Sequence, residues 1–170
     1  TVLNYPKNSA GSIMTVEYIR LERNMSVADA FVRIRRQGTE KETIYTCYVT
    51  DKDRRLIGVV TAKQLLISNL DVLLSDIMNE NVISVNTHDL SEEVARMFEK
   101  YGFLAMPVVD KESRLVGIIT VDDAIDVLQE EATAFINSAF LLSVHFFSRC
   151  ITSLLLPKNL RNNPMVTEDR

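Results

Sequence analysis

Metal-binding and redox side chains are scarce in this sequence. Its 170 residues hold two cysteines, Cys47 and Cys150, and two histidines, His88 and His145. Two thiols cannot build a disulfide framework, and neither sits beside a cluster of further zinc ligands. The two histidines lie far apart in the sequence, which argues against a zinc enzyme and a cysteine–histidine protease. Concentrated basic charge is also missing. The net charge is −4, whereas nucleic-acid binders carry a basic patch or stripe, so no nucleic-acid partner is expected. No N-terminal stretch shows the charged, apolar and small-residue order of a signal peptide. What is present is ordinary globular composition, 46% hydrophobic and 25% charged, which excludes wholesale disorder. The length suits one domain or two small ones sharing a core.

The charge is unevenly distributed. Residues 1–75 carry 11 basic and 8 acidic side chains, residues 76–131 carry 4 and 13, and residues 132–170 carry 4 and 2. The middle third is therefore net −9. Blocks of one sign concern ions and partners more than fold, although a solvated acidic face has the same composition.

An internal repeat organises the chain. Ile13-Met14 recurs as Ile77-Met78, and Gly38 as Gly102, a shift of 64. Val49-Thr-Asp51-Lys52 through Arg55-Leu-Ile-Gly-Val-Val-Thr61 recurs as Val108-Val-Asp110-Lys111 through Arg114-Leu-Val-Gly-Ile-Ile-Thr120, a shift of 59. An insertion of five residues near Thr39–Thr43 in the first copy accounts for the difference. The segments divide as a linker at 1–13, a first repeat at 14–74, a second at 75–133, an amphipathic helix at 134–156 and a flexible end at 157–170.

Both copies read as β-α-β-β-α, an α/β arrangement. A short apolar segment (Tyr18–Leu21; Val82–Val85) suggests a strand. Val27, Ala30, Phe31 and Ile34, and then Val94, Ala95 and Phe98, recur at helical spacing. Ser26-x-x-Asp29 and Asp89-x-x-Glu92 resemble capping boxes. Gly38 and Gly102 stand where a helix end favours a left-handed residue. Strands are expected at Ile44–Val49, Leu56–Val60, Phe103–Val109 and Leu115–Ile119, with Thr61 and Thr120 opening the last helix of each copy.

Two such units, each with Gly-apolar-apolar-Thr before a helix, resemble a tandem CBS domain pair. Tyr5-Pro-Lys-Asn-Ser-Ala-Gly-Ser-Ile-Met-Thr15, Glu42-Thr-Ile-Tyr45, Val121-Asp-Asp-Ala-Ile-Asp-Val127 and Glu130-Glu-Ala-Thr133 are similar to the cytosolic region of MgtE-type magnesium transporters. The resemblance covers residues 5–133. It implies two CBS repeats packed about a pseudo-two-fold axis, a homodimer, and a Mg²⁺-sensing regulatory role at the cytoplasmic face of the cell membrane. It also implies a membrane domain elsewhere in the transporter as partner, and no enzymatic activity. The alternative is a stand-alone module that senses adenine nucleotides for another partner.

The resemblance assigns a nucleotide pocket to Lys63, Gln64, Ile83, Phe103 and Thr120, with ATP or another adenine nucleotide bound weakly. Lys63 would meet phosphate and Phe103 would stack on the base. Gln64 stands where the family has an aspartate for the ribose hydroxyls. An amide offers one acceptor oxygen rather than two, so Gln64→Asp is expected to strengthen binding. Thr120-x-x-Asp123 matches the corresponding motif in the second copy, and it is also a helix cap that needs no ligand. Carboxylates matching Asp123, Asp126 and Glu131, with Glu92, are implied to bind Mg²⁺ between this region and neighbouring domains. Mg²⁺ takes oxygen ligands and keeps several waters, so one or two carboxylates suffice. Two further acidic positions of the family are Ala134 and Phe135 here.

Residues 134–156 contain one charge, Arg149. Ser138, His145, Arg149 and Thr152 line up as a polar stripe opposite Ile136, Phe140, Val144, Phe147 and Ile151. The expectation is a docking or oligomer helix. Association with a membrane, or a true span, is the alternative.

Overall fold

The computed structural model describes residues 5–136. The chain divides into two compact units, Thr1–Leu128 and Gln129–Arg170, and both strand-forming repeats lie in the first. Of the second unit, residues 129–136 are described and are helical. The helix expected at 134–156, beyond residue 136, and the end at 157–170 lie outside the described residues.

In the first repeat, β1 (Arg20–Glu22) is followed by α2 (Val27–Gln37), β2 (Thr46–Thr50), β3 (Leu56–Thr61) and α3 (Ala62–Ile67). In the second, β4 (Val85–Asn86) is followed by α5 (Ser91–Tyr101), β5 (Ala105–Val109), β6 (Leu115–Thr120) and a helix over 121–136, α6. Two four-residue helices, α1 (Ala10–Ile13) and α4 (Leu74–Ile77), precede the repeats. The strands form two sheets ordered β1-β2-β3 and β4-β5-β6. In each, the first pair is parallel and the second antiparallel, with a register break at Val49/Thr50 or Val108/Val109. The β-α-β-β-α reading therefore holds in both copies.

The charged hairpin turns recur because an aspartate organises each. Asp51 Oδ1 accepts from the Asp53 and Arg55 N–H groups at 2.9 and 2.8 Å. Asp110 Oδ1 accepts from Glu112 and Arg114 at 3.0 and 2.9 Å. Such side-chain turns replace a backbone acceptor with a carboxylate. The two turns then join the repeats: Leu56 N–H donates to the Ser113 carbonyl at 3.0 Å, and Leu115 N–H to that of Arg54 at 2.9 Å. Beneath them a shared cluster of Tyr48, Leu115 and Ile118 draws on both sheets. The Tyr18 ring meets Tyr48 edge-on at 6.1 Å, and its hydroxyl donates to the Leu115 carbonyl at 3.2 Å.

The straps before each repeat cross over. Ala10 of α1 is buried in the second repeat's core with Val85, Val94 and Phe98. Leu74 of α4 is buried in the first repeat's core with Leu21, Val27 and Leu65. Thr15 and Ile118 exchange backbone hydrogen bonds at 2.8 and 2.9 Å, and Asn79 and Val59 do so at 2.9 and 3.0 Å. The segment read as an N-terminal linker, 1–13, thus contains buried structure belonging to the second repeat. The repeated Gly58 and Gly117 admit these straps: a Cβ on Gly58 would sit 2.8 Å from Met78 Sδ, and one on Gly117 would sit 2.7 Å from Met14 Sδ.

Four local expectations are corrected. Gly38 is right-handed (φ −64°, ψ −25°), because the chain continues into a 3-10 turn over Gly38–Glu40. Gly102 is left-handed as expected, at φ 65°. Asp89 does not cap α5. It accepts from the Asn86 N–H at 2.7 Å, while Leu90 holds the cap position and the Ser91 N–H donates to the Asn8 carbonyl of the strap. The strand expected from Val82 begins only at Val85, because residues 82 and 83 turn aside to line a cavity. The strand expected at Tyr18–Leu21 is shifted to Arg20–Glu22, the residues that pair with β2.

Candidate nucleotide site

A cavity of about 560 Å³ lies between the repeats. From the first repeat it takes Tyr45, Tyr48, Thr61 and Lys63, and from the second Phe103 and Leu104. The segment joining them supplies Asn79, Asn81, Val82 and Ile83. Each contributor has a local cause. Thr61 is the cap of α3, with extended backbone (φ −85°, ψ 153°), so the chain turns there and sets Lys63 in the first helical turn. Gly102 is left-handed and ends α5, which places Phe103 at the mouth of β5. Phe103 is half-buried and its ring stacks on Tyr101 at 5.5 Å and 26°. Lys63 and Ile83 are exposed. The result is an apolar and aromatic cleft with one ammonium and two carboxamides at its edge, suited to a flat ring bearing an anionic group.

Lys63, Ile83 and Phe103 are thus brought together. Gln64 lies just beneath: its Oε1 accepts from the Thr61 N–H and hydroxyl at 2.9 and 2.8 Å, and its Nε2 donates to the Ile77 carbonyl at 2.7 Å. Thr120 does not line this cavity, although its strand partner Ala105 does. Thr120 is buried, and its hydroxyl donates to Asp123 Oδ2 at 2.6 Å, the capping alternative noted above. Sequence reasoning missed Asn79 and Asn81. Their only signal was position, two and four residues after the repeated Ile77, and nothing local marks an asparagine there as pocket wall.

Asp123 and Asp126 are three residues apart on α6, Glu92 is in the first turn of α5, and Glu131 belongs to the second unit. Among the described residues no three Cys, His, Asp or Glu side chains gather to hold a metal ion. Cys47 is buried, and burial pushes its thiol up to about 12, which makes it an inert core residue. Burial, with Cys47 beside it, also pushes up the Tyr48 phenol.

A second groove of about 660 Å³ lies along β1 and α2, lined by Arg20, Glu22, Asp29, Arg33 and Arg36. Within it Arg33 pairs with Glu22 at 3.3 Å, and the Asp29 carboxylate accepts from the Ser26 hydroxyl at 2.7 Å. Among the described residues no helix is long and apolar enough to cross a membrane.

The CBS domain pattern matches residues 10–69 and 74–130. The chain belongs to the CBS domain family. Each match begins in a strap, at α1 and at α4, so the family's unit includes the segment that crosses to the other sheet. This CBS pair is 42% identical over 133 residues to the magnesium transporter MgtE of Enterococcus faecalis, covering 78% of this chain and 29% of that protein. It superposes on the soluble part of a magnesium transporter with a TM-score of 0.75 and 43% identity, covering 77% of this chain and 51% of the other. It also superposes on the cytosolic domain of the Mg²⁺ channel MgtE in complex with ATP, with a TM-score of 0.71 and 42% identity over 72% of this chain and 50% of the other. The chain therefore spans under a third of the length of the curated magnesium transporters it matches.

Proposed function

We propose that this CBS pair is the cytosolic regulatory segment of an MgtE-like magnesium transporter, and that its inter-repeat cavity takes an adenine nucleotide. The convergence of Lys63, Ile83 and Phe103 on one cleft carries the nucleotide reading. The likeness to a domain described in complex with ATP supports it. Phe103 would stack on the base, as aromatic side chains do on planar rings, and Lys63 would attract phosphate. The segment is read as a binding module rather than an enzyme because it matches the cytosolic part of a transporter. Titration calorimetry with ATP, AMP and adenosine tests the site. Lys63→Ala should weaken ATP more than adenosine, and Phe103→Ala should weaken both. Equal binding by both variants would place the nucleotide elsewhere.

Mg²⁺ is proposed as the sensed ion. The support is the net −9 of residues 76–131 and the match of Asp123, Asp126 and Glu131, with Glu92, to acidic family positions. These side chains would hold hydrated Mg²⁺ together with groups outside this chain, and a divalent ion between carboxylates relieves their mutual repulsion. Millimolar Mg²⁺ should raise the melting temperature, and Asp123→Asn with Asp126→Asn should remove most of that rise. An equal rise in the double variant would mean a merely solvated acidic face. A homodimer is proposed from the exposed Leu66, Ile67 and Leu70 at and beyond the end of α3, which are 73, 74 and 61% exposed. Light scattering at micromolar concentration should give twice the chain mass.

A further inference from the structure

We infer that Gln64 is a positioning residue: it latches the crossing strap to the cap of α3 and so sets the cavity wall that runs from Asn79 to Ile83. This rests on the reading of that cavity as a nucleotide site. The Gln64 side chain is engaged at both ends. Its oxygen takes the Thr61 N–H and hydroxyl, at 2.9 and 2.8 Å, and its nitrogen gives a hydrogen to the Ile77 carbonyl at 2.7 Å. Ile77 is the last residue of α4, and the final carbonyls of a helix have no partner within it. The glutamine amide supplies one. Two residues later Asn79 begins the cavity wall.

The strap is fastened on either side of this bond. Before it, the Leu74 N–H donates to the Met25 carbonyl at 2.9 Å. After it, Asn79 and Val59 exchange two backbone bonds. The Gln64 bond fastens the strap between them by a side chain, and it runs directly from the first turn of the helix carrying Lys63. A shift of the strap relative to α3 would therefore separate Lys63 from Asn79, Asn81 and Ile83.

The second repeat shows why the residue type matters. Asp123 occupies the equivalent place, and its Oδ2 accepts from the Thr120 N–H and hydroxyl at 3.2 and 2.6 Å. It copies the capping half of the Gln64 arrangement. An ionised carboxylate only accepts, so it cannot copy the donation to a strap carbonyl. Gln64 is therefore not an aspartate with its ribose contact removed, and a carboxylate at 64 would face the Ile77 carbonyl with no hydrogen between them.

The test uses Gln64→Glu, which keeps the chain length and the acceptor and loses the donor at neutral pH. ATP affinity is read by calorimetry, and the protection of the Met78 amide, hydrogen-bonded to the Leu74 carbonyl, by hydrogen exchange. At pH 7.5 the variant should bind ATP about tenfold more weakly and protect Met78 about tenfold less, the usual scale for one lost hydrogen bond to a part-buried acceptor. Near pH 4 the protonated carboxyl regains a donor, and both quantities should return toward wild type measured at the same pH. Gln64→Asp should also bind ATP more weakly at pH 7.5, the reverse of what the sequence alone suggests. Tighter ATP binding by either acidic variant, or unchanged Met78 protection in Gln64→Glu, would overturn the latch. If the wild type binds no ATP, the nucleotide reading fails, and Met78 protection with its recovery at low pH still decides the latch by itself.

Discussion

The two repeats share one plan and differ in how each is fastened. Both end an antiparallel hairpin in Gly-apolar-apolar-Thr, and both receive a strap from outside the repeat through the glycine. The first repeat buries a leucine from its strap, Leu74, where the second buries Ala10. It caps its long helix with Ser26, where the second has Leu90 and no side-chain cap. It holds its strap with Gln64, where the second has Asp123. Duplication thus kept the geometry that both sheets need, and the individual contacts diverged. The difference teaches that equivalence in the repeat alignment predicts position better than it predicts hydrogen-bonding role.

The largest expected effect makes the two straps alike. Leu74→Ala reproduces Ala10 in the first repeat and leaves a cavity in a core that has not adjusted to it. Unfolding by urea should show a loss of about 2–5 kcal/mol, the range for leucine truncation in cores. A loss under about 1 kcal/mol would mean that the strap is only lightly docked.

The glycines should separate next. A Cβ on Gly117 would lie 2.7 Å from Met14 Sδ and 2.9 Å from the Thr15 carbonyl oxygen. One on Gly58 would lie 2.8 Å from Met78 Sδ and 3.3 Å from the Asn79 carbonyl oxygen. A thioether can move, whereas a carbonyl paired to the sheet cannot. Both alanine variants should therefore lose stability, within about 1–3 kcal/mol, with Gly117→Ala the worse. Thermal melts of the two side by side check the order.

The caps give a smaller contrast. Ser26 Oγ accepts from the Asp29 N–H at 3.1 Å, so Ser26→Ala should cost about 1 kcal/mol. Leu90 is 53% exposed, and Leu90→Ser should gain up to about 1 kcal/mol by supplying the missing cap. Chemical denaturation that moved both variants the same way would break the contrast.

The smallest effect is on the acid limb. Hydrogen bonds from the Ser26 hydroxyl and N–H hold the Asp29 carboxyl below its ordinary value of 3.8. A carboxyl lowered by folding contributes stability that is present above the unfolded value and is lost as pH falls through the folded one. The wild type should therefore lose this increment only below about pH 3.8. Ser26→Ala should flatten that limb in a pH series of melts.

Much of the fold was legible because its signals are local. Ser26 with Asp29 and Thr120 with Asp123 are contacts three residues apart, and helical spacing exposed the buried faces of α2 and α5. The errors fell where a distant group intervened. Asp89 looked like a cap from its spacing, but it turns to the Asn86 N–H and the strap's Asn8 supplies an acceptor to α5. Gly38 matched Gly102 in the alignment, yet the insertion that follows it continues as a 3-10 turn and needs no left-handed residue. The candidate site was half legible. Lys63 and Phe103 came from the family resemblance, whereas Asn79 and Asn81 join them only because the strap folds back onto the first sheet.

The sequence by itself determined the duplication, the element order, the turn aspartates and the CBS family, since each is carried by residue types at short fixed spacings. Only the tertiary structure decided that the straps exchange sheets, that the Ile77 carbonyl meets Gln64, and that Asn79 and Asn81 share a cavity with Phe103. Those pairings join residues far apart along the chain. They are chosen by which apolar faces can be buried together and which backbone groups must then be satisfied, and neither condition is written in any local pattern.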